Sequence, residues 1–174
     1  MRETERIGSL KGIGEKTEQL FNRVGVKNVG DILRYYPRGF EIFDDPVPIG
    51  SVEEGRVSTV AGSVFRRIQV SGNQRMRVTA LYLKDLTGTL KVVWFRMPFL
   101  RNTLGKGGVI ILRGRVVRKK EGLVMEHPEI YYPAIKYEEK LHTMQPVYPL
   151  TAGLTNNAVI KAVRQAISCV RVKT

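Results

Sequence analysis

The cations of this chain are its most informative chemical groups, because they are concentrated in one stretch. Residues 56–120 hold fifteen Lys or Arg residues and one acid, Asp85, which gives this basic stretch a net charge of +14. The rest of the chain has a net charge of −1, so the basic stretch accounts for the whole excess of +13. Such a surface attracts a polyanion. Nucleic acid is the first candidate, because each neutralised phosphate releases condensed counterions.

Ten cations of the basic stretch are predicted to contact phosphate. Arg113 and Arg115 alternate with apolar residues, which places both on one face of a predicted strand. The alternative is a solvated exterior, but such a surface normally mixes both signs of charge. The predicted phosphate contacts are Arg66, Arg67, Arg75, Arg77, Arg96, Arg113, Arg115, Arg118, Lys119 and Lys120.

Three of the five aromatic residues in the same stretch lie close together in sequence. Trp94 and Phe95 are adjacent in a predicted strand, so one side chain points into the core and the other points outside or lies at an edge. Phe99 follows four residues later, in a predicted short helix. If Phe95 ends its strand, Phe95 and Phe99 can lie at one rim of the fold, where exposed rings stack on bases for ~1–3 kcal/mol each. From spacing alone, however, both rings are expected in the core.

A glycine pair near the N-terminus suggests a second phosphate site. Gly12 and Gly14 resemble the hairpin of a helix-hairpin-helix unit, in which backbone N–H groups hold a DNA phosphate and a Lys such as Lys16 assists. The alternative is a tight turn whose Ile13 fills a core. Residues 1–50 contain eight basic and eight acidic residues, so charge does not favour a phosphate site there.

No catalytic residue, metal site or cofactor is predicted for this chain. His127 and His142 have no cysteine or carboxylate partners at ligand spacing. No stretch follows the pattern G-x-x-x-x-G-K-[ST], so nucleotide hydrolysis by a P-loop is not predicted. Asp85 is predicted to cap a turn through its side chain.

The location suggested by the sequence is a reducing cytoplasm. Cys169 is the only cysteine and cannot form an internal disulfide, which favours that compartment. The first ten residues are polar and charged, so no signal peptide is predicted. No apolar run approaches the length of a membrane span, and no membrane partner is expected.

The basic stretch has the alternation of a series of strands. Strands are predicted at 57–70, 75–84, 89–95, 109–119 and 123–127, with a short helix at 97–104 between the third and the fourth. Five strands in this order are typical of the OB-fold, a small barrel that often binds single strands. The predicted fold class is therefore mainly β with helical additions, a five-stranded OB-fold Greek-key barrel preceded by a small helix-hairpin-helix-like segment.

Helices are predicted on both sides of this barrel. The patterns predict helices at 15–24 and 29–36, an extended linker at 44–48 and a last helix at 156–170. The predicted domains are a helical segment with its linker at 1–49, the barrel at 50–132, and an irregular return with the last helix at 133–174. The last helix has an apolar face with nothing but the barrel to cover it, which favours a lead-in to a further domain.

Several motifs resemble the start of the RecG-type DNA branch-migration helicases. They lie in the right order over nearly the whole chain, at 10–14, 25–41, 85–90 with Trp94 and Phe95, 126–129 and 146–154. The resemblance implies that this chain is the wedge domain, the OB-fold part that grips a DNA junction. The ATP-hydrolysing motor domains, with their Mg²⁺, are then expected beyond the last helix.

The resemblance also implies roles for residues and partners. In the family, aromatic residues at the barrel rim stack on bases at the branch point, and the matching positions are Phe95 and Phe99. The expected partners are branched DNA, such as stalled replication forks and Holliday junctions, and the rest of a helicase chain. The expected setting is recombination and repair by a monomer in the bacterial cytoplasm, associated with the nucleoid.

Two alternatives from other classes stay open. An OB-fold RNA-binding module would explain the charge and the barrel equally well, but not the N-terminal glycine hairpin or the motif at 146–154. A protein-interaction domain that docks acidic partners would explain the charge alone. Competition between forked DNA, structured RNA and acidic peptides would separate the three.

Overall fold

The computed structural model describes residues 1–171, and the side chains of residues 1–170. The helices and strands in chain order are α1 (Glu15–Arg23), α2 (Val29–Leu33), β1 (Gly39–Ile42), β2 (Val57–Val64), β3 (Gln69–Gly72), β4 (Arg77–Lys84), β5 (Thr89–Phe95), α3 (Leu100–Leu104), β6 (Val109–Lys119), β7 (Gly122–Tyr131), α4 (Ile135–Glu138), β8 (Met144–Val147) and α5 (Asn156–Arg171). Short 3₁₀ turns lie at Ile7–Ser9 and Ile49–Ser51.

The chain divides into two compact units. The barrel unit is Phe43–Thr143, and the helical unit combines Met1–Ile42 with the chain from Met144 onward. This division differs from the three consecutive segments expected from the sequence. The two ends of the barrel unit are hydrogen-bonded to each other. Phe43 N–H donates to the Thr143 carbonyl at 3.1 Å, and His142 N–H donates to the Phe43 carbonyl at 2.7 Å.

The six strands of the barrel unit form one closed sheet. Their order is β2-β6-β7-β5-β4-β3, and β2 also pairs with β4 through Ser63 and Val64. The β5–β7 pairing is parallel and the others are antiparallel. With α3 between the third and fourth main strands, this is the OB-fold arrangement, and the predicted fold class is confirmed.

The first predicted strand is wrong as a single element, because it forms β2 and β3 with a break at 65–68. At the break β2 leaves β6 and turns onto β4, and Gly62 makes this close approach possible. A Cβ at Gly62 would lie 2.5 Å from the carbonyl oxygen of Lys84. The alternation of apolar residues continues through both strands and gives no sign of the bend.

The last predicted strand, at 123–127, is too short because it stops at His127, before Pro128. In the structure β7 continues to Tyr131 because a register shift between Arg113 and Arg115 makes Gly114 face both His127 and Pro128. At such a bulge a proline removes no ladder hydrogen bond. The predicted helices at 29–36 and 97–104 are shorter in the structure, and β1, β8 and α4 were not predicted.

The inward side chains of the strands fill the barrel. Trp94 is 1% exposed, and its indole N–H donates to the Pro128 carbonyl at 3.2 Å. Leu81, Val92 and Leu112 pack in the same cluster. Asp85 caps the β4–β5 turn as predicted and also accepts a hydrogen bond from the Ile49 backbone at 2.8 Å. These hydrogen bonds lower the pKa of Asp85 to about 2.

The helical unit has its own core. Phe21 on α1 and Ile32 on α2 are buried together with Val159, Ala162 and Ala166 on α5. The expectation that the apolar face of the last helix lacks a partner is therefore wrong. That face is covered by helices more than a hundred residues earlier in the chain, a contact that no local pattern indicates.

Candidate nucleic-acid interface

The outward face of β4 and β5 presents a row of side chains with two depressions. Alternation sends Leu81, Val92 and other core residues inward. The residues between them point outward in cross-strand pairs. These pairs are Val78 with Phe95, Ala80 with Val93, and Tyr82 with Lys91.

The first depression lies at the Phe95 end of this face and has a volume of about 360 Å³. Its apolar lining is Val78, Val93, Phe95 and Val124. Its charged lining comes from β5 and the β6–β7 hairpin, namely Lys91, Lys119, Lys120, Glu121 and Glu126. The apolar floor suits a base. At the edge, Lys91 is paired with Glu121 and Lys119 with Glu126, which leaves Lys120 as the lining cation without an ion pair among the described residues.

Phe95 is held at the edge of this depression by His127. The Phe95 backbone N–H donates to His127 Nε2 at 2.9 Å, and the two ring centroids are 5.4 Å apart. An Nε2 that accepts places the imidazole proton of the neutral ring on Nδ1. Arg96 then ends the strand with a positive φ of 61°. Phe95 is therefore a positioned ring at a strand end, not a core residue.

Phe99 lies at the start of α3 and is 58% exposed. Phe95 is half-buried, whereas its neighbour Trp94 is in the core. The expectation from spacing alone, that both phenylalanine rings are in the core, is wrong. The structure leaves both rings accessible to a ligand, as the rim interpretation requires.

Two predicted phosphate ligands are already paired with acids, and a third donates to a backbone carbonyl. Arg118 binds Glu54 at 3.0 Å, and Lys119 binds Glu126 at 2.9 Å. Arg115 Nη1 donates to the Gly55 carbonyl at 3.0 Å. Glu54 and Glu126 lie just outside the basic stretch in sequence, so a count of charges within 56–120 overstates the positive charge of the surface.

Arg113 differs from the other predicted contacts. Its guanidinium carbon lies 4.8 Å from the ring centroid of Phe43, and it is half-buried on the outer surface of β6 opposite Glu129. Both Arg113 and Arg115 point away from the core residues Leu112 and Val116, as predicted. The packing of Arg113 on Phe43 gives it a role in the fold beside any role in binding.

The remaining predicted cations are exposed and make no ion pair among residues 1–170. They border the β3–β4 hairpin, the end of β5 and the tip of the β6–β7 hairpin. They are Arg66, Arg67, Arg75, Arg77, Arg96 and Lys120. These six are the strongest candidates for phosphate contacts.

Lys91 and Tyr82 belong to this surface but were missed in the sequence. Lys91 Nζ donates to Glu121 at 2.7 Å, and this hydrogen bond raises the pKa of Lys91 and lowers that of Glu121. Lys91 shares the outward parity of Phe95, two positions from Val93, so alternation along β5 would have found it. Tyr82 can be assigned to this surface only from the register of β4 against β5, which pairs it with Lys91.

The glycine hairpin is a turn between a 3₁₀ segment and α1. Gly12 has a positive φ of 86°, and Gly14 is the residue before α1. Ile13 is partly buried against the helical core. Glu15 and Glu18 occupy the first turn of α1, but Glu18 is buried and paired with Arg6 at 2.9 Å, so a phosphate there would meet the carboxylate of Glu15. Lys16 lies on the same turn, so these residues are together, but the charge there is mixed.

The described residues hold neither a cluster of metal ligands nor a membrane-spanning helix. In residues 1–170 no three His, Cys, Asp or Glu side chains come together in a way that could hold a metal ion. None of the helices described is long and apolar enough to cross a membrane.

Comparisons with known proteins give a consistent picture. Residues 6–170 match the sequence model of a family described as the RecG wedge domain. The ATP-dependent DNA helicase RecG of Escherichia coli strain K12 is 28% identical over 163 residues, which is 92% of this chain and 23% of that protein. RecG of Bacillus subtilis strain 168 is 24% identical over 166 residues, which is 93% of this chain and 23% of that protein.

A solved structure of RecG bound to a three-way DNA junction has the same fold. Its TM-score is 0.79 at 20% sequence identity, and the match covers 97% of this chain and 23% of that chain. The chain thus spans about a quarter of the length of the curated relatives that it matches.

Proposed function

This chain belongs to the RecG wedge domain family, and from that premise we propose that it grips branched DNA where the strands separate. The observation that carries the proposal is Phe95, held by His127 beside a depression with an apolar floor and a charged rim of three lysines and two glutamates. The relative bound to a three-way DNA junction supports the same class of ligand.

In this proposal the aromatic rings act at the branch point. Phe95 and Phe99 cap the last base pair of the parental duplex, while the separated strands leave on either side. Opening a base pair costs a few kcal/mol. Stacking on two accessible rings returns about 1–3 kcal/mol each. The free energy of stacking therefore offsets the cost of opening the base pair. In this proposal the chain binds DNA and catalyses no reaction.

The cations hold the phosphates of the separated arms. The exposed side chains that have no carboxylate partner among residues 1–170, such as Arg75, Arg77 and Lys120, contact phosphate first. Arg118 and Lys119 must first break their ion pairs with Glu54 and Glu126 before they can bind phosphate. The first phosphate contacts therefore form beside the Phe95 depression and along the β3–β4 hairpin, because the cations there have no carboxylate partner among the described residues.

The wider role is part of the proposal, and the names of the relatives support its helicase setting. Their full-length proteins are named ATP-dependent DNA helicases, and this chain covers 23% of their length. In such a protein, a motor that uses ATP and Mg²⁺ pulls duplex across the wedge and strips its strands. The setting is repair and recombination at stalled forks and Holliday junctions, by a monomer in the bacterial cytoplasm near the nucleoid.

Phe95→Ala tests the branch-point role. We expect fork affinity to fall about 5- to 150-fold, because one stacking contact is lost, while affinity for plain single-stranded DNA stays nearly unchanged. The measurement is fluorescence anisotropy with a labelled fork and a labelled single strand. Phe40→Ala is the matched control, because Phe40 is 61% exposed on β1. Equal losses on both DNAs would refute the role of Phe95.

A further inference from the structure

A second cluster of aromatic and basic side chains lies at the other end of the β4–β5 face. Phe65 follows β2, and its N–H donates to the Tyr82 carbonyl at 2.8 Å, which fixes it beside β4. The guanidinium carbon of Arg66 lies 5.4 Å from the ring centroids of both Phe65 and Tyr82. Lys84 Nζ lies 4.6 Å from the Phe65 centroid.

This cluster is exposed and carries charge of one sign. Phe65 is 47% exposed and is absent from the barrel core. Arg66 and Lys84 approach the same ring, and neither makes an ion pair among the described residues. Two cations held beside one ring repel each other unless an anion lies near them.

Beside the cluster is the second depression, with a volume of about 480 Å³. Phe65, Arg66 and Tyr82 line one part, and apolar side chains such as Ile49 and Leu90 line another. The depression thus offers apolar walls, an accessible ring and one lining cation, Arg66, that makes no ion pair among the described residues, while its other cation, Lys91, is paired with Glu121. A ligand that fits must have a flat apolar face and a negative charge close to it, and a nucleotide has both.

The register connects this site with Phe95. Phe95 pairs with Val78 and Lys91 pairs with Tyr82, so the two sites are four residues apart on β5. At about 3.3 Å per residue the separation is about 13 Å, or about four nucleotides of a stacked strand at 3.4 Å each. Lys91, Glu121 and Val124 line both depressions, so a strand on this face can pass from one to the other.

We propose that the Phe65–Arg66–Tyr82 cluster is a second base-binding site, which takes an unpaired nucleotide about four positions from the branch point on one single-stranded arm. The base stacks on Phe65 and the Arg66 guanidinium, and Lys84 binds the adjacent phosphate. The inference rests on the proposed function, since Phe95 marks the branch point from which the arm is counted. An acidic peptide with an aromatic side chain is the competing ligand, but the continuity with the Phe95 depression favours DNA.

The test measures how the affinity of the whole 174-residue chain for a fork depends on the length of the unpaired arm. Forks carrying an unpaired arm of zero to eight nucleotides are titrated by anisotropy against wild type, Phe65→Ala and the control Phe40→Ala. Wild-type affinity should rise once the arm exceeds about four nucleotides. Phe65→Ala should lose about 5- to 150-fold on long arms and nothing on arms of two nucleotides or fewer.

Two further measurements separate stacking from a general effect. Arg66→Lys keeps the charge but loses the planar group, so it should weaken long-arm binding and leave the salt dependence unchanged. A 2-aminopurine at the fourth arm position should change its fluorescence on binding wild type and not Phe65→Ala. Thermal unfolding of each variant verifies that the barrel is intact.

The outcomes that overturn the inference differ from those that overturn the proposed function. Phe65→Ala affinities equal to wild type, or reduced equally at every arm length, refute the second site while the Phe95→Ala result stands. Phe65-dependent capture of poly-glutamate, with no dependence on arm length, assigns the cluster to acidic peptides instead. A wild-type chain without preference for forks refutes the proposed function itself.

Discussion

The ion pairs of Arg118 with Glu54 and of Lys119 with Glu126 predict that equal losses of charge will weaken DNA binding unequally. Arg75→Gln with Arg77→Gln removes two exposed cations that have no carboxylate partner among the described residues. Arg118→Gln with Lys119→Gln removes two cations that already have one. Both double variants lower the net charge by two, so a count of charges predicts the same result for both.

The expected magnitude follows from counterion release. Each phosphate contact contributes about 0.7–0.9 to the slope of log K against log salt. If Arg75 and Arg77 each neutralise one phosphate, their loss reduces the slope by about 1.4–1.8. Between about 50 and 200 mM salt, that is a change of about 7- to 12-fold in the relative affinities. For Arg118 and Lys119 a phosphate replaces a carboxylate, so we expect less than half of this change.

The assay is anisotropy of a labelled fork at four salt concentrations, for wild type and both double variants. Circular dichroism and thermal unfolding establish that each variant is folded. Equal slope changes would refute the reasoning, because the acids would then have no effect on how Arg118 and Lys119 meet phosphate. A larger change for the Arg118 and Lys119 pair would place the main DNA contact at the β6–β7 hairpin instead.

Two predictions concern the stability of the barrel. The hydrogen bonds that lower the pKa of Asp85 to about 2 stabilise the fold above about pH 4, and this contribution is lost as the pH falls through about 2. Asp85→Asn should therefore lower the urea midpoint at pH 7 and reduce its drop on acidification; an unchanged pH profile would contradict this role. Because a Cβ at Gly62 would lie 2.5 Å from the Lys84 carbonyl oxygen, Gly62→Ala should cost about 1–3 kcal/mol in urea unfolding. Gly88→Ala, whose Cβ would be 3.7 Å from Ile49, is the control, and equal costs would exclude steric closure at Gly62.

The strands that alternate regularly were predictable from sequence. The predicted bounds of β5 and β6 are correct, because apolar and polar residues alternate between clear turn residues there. The two main strand errors in the barrel fall where the backbone departs from regular geometry, at the bend after Gly62 and at the bulge opposite Gly114. A bend or a bulge depends on how closely two strands approach each other. The sequence of one strand alone therefore does not predict it.

The interface was predictable in kind but less so in detail. The cations came from the charge of the basic stretch and the rim position of Phe95 came from the family resemblance, and the structure leaves these side chains accessible. The pairing of Arg118 with Glu54 joins residues 64 positions apart, and the cluster of Phe65 with Tyr82 needs the β2–β4 closure. Long-range contacts therefore decided which cations have no carboxylate partner and which aromatic rings meet.

The two ends of the barrel unit have a mechanical consequence. Phe43 and Thr143 are hydrogen-bonded neighbours, so the chain enters and leaves the barrel unit at one place. Tension carried along the backbone is therefore borne by the short bridge between Phe43 and residues 142–143, and little of it loads the closed sheet. The outward face of β4 and β5 therefore keeps its shape when the chain at either end of the barrel unit is pulled.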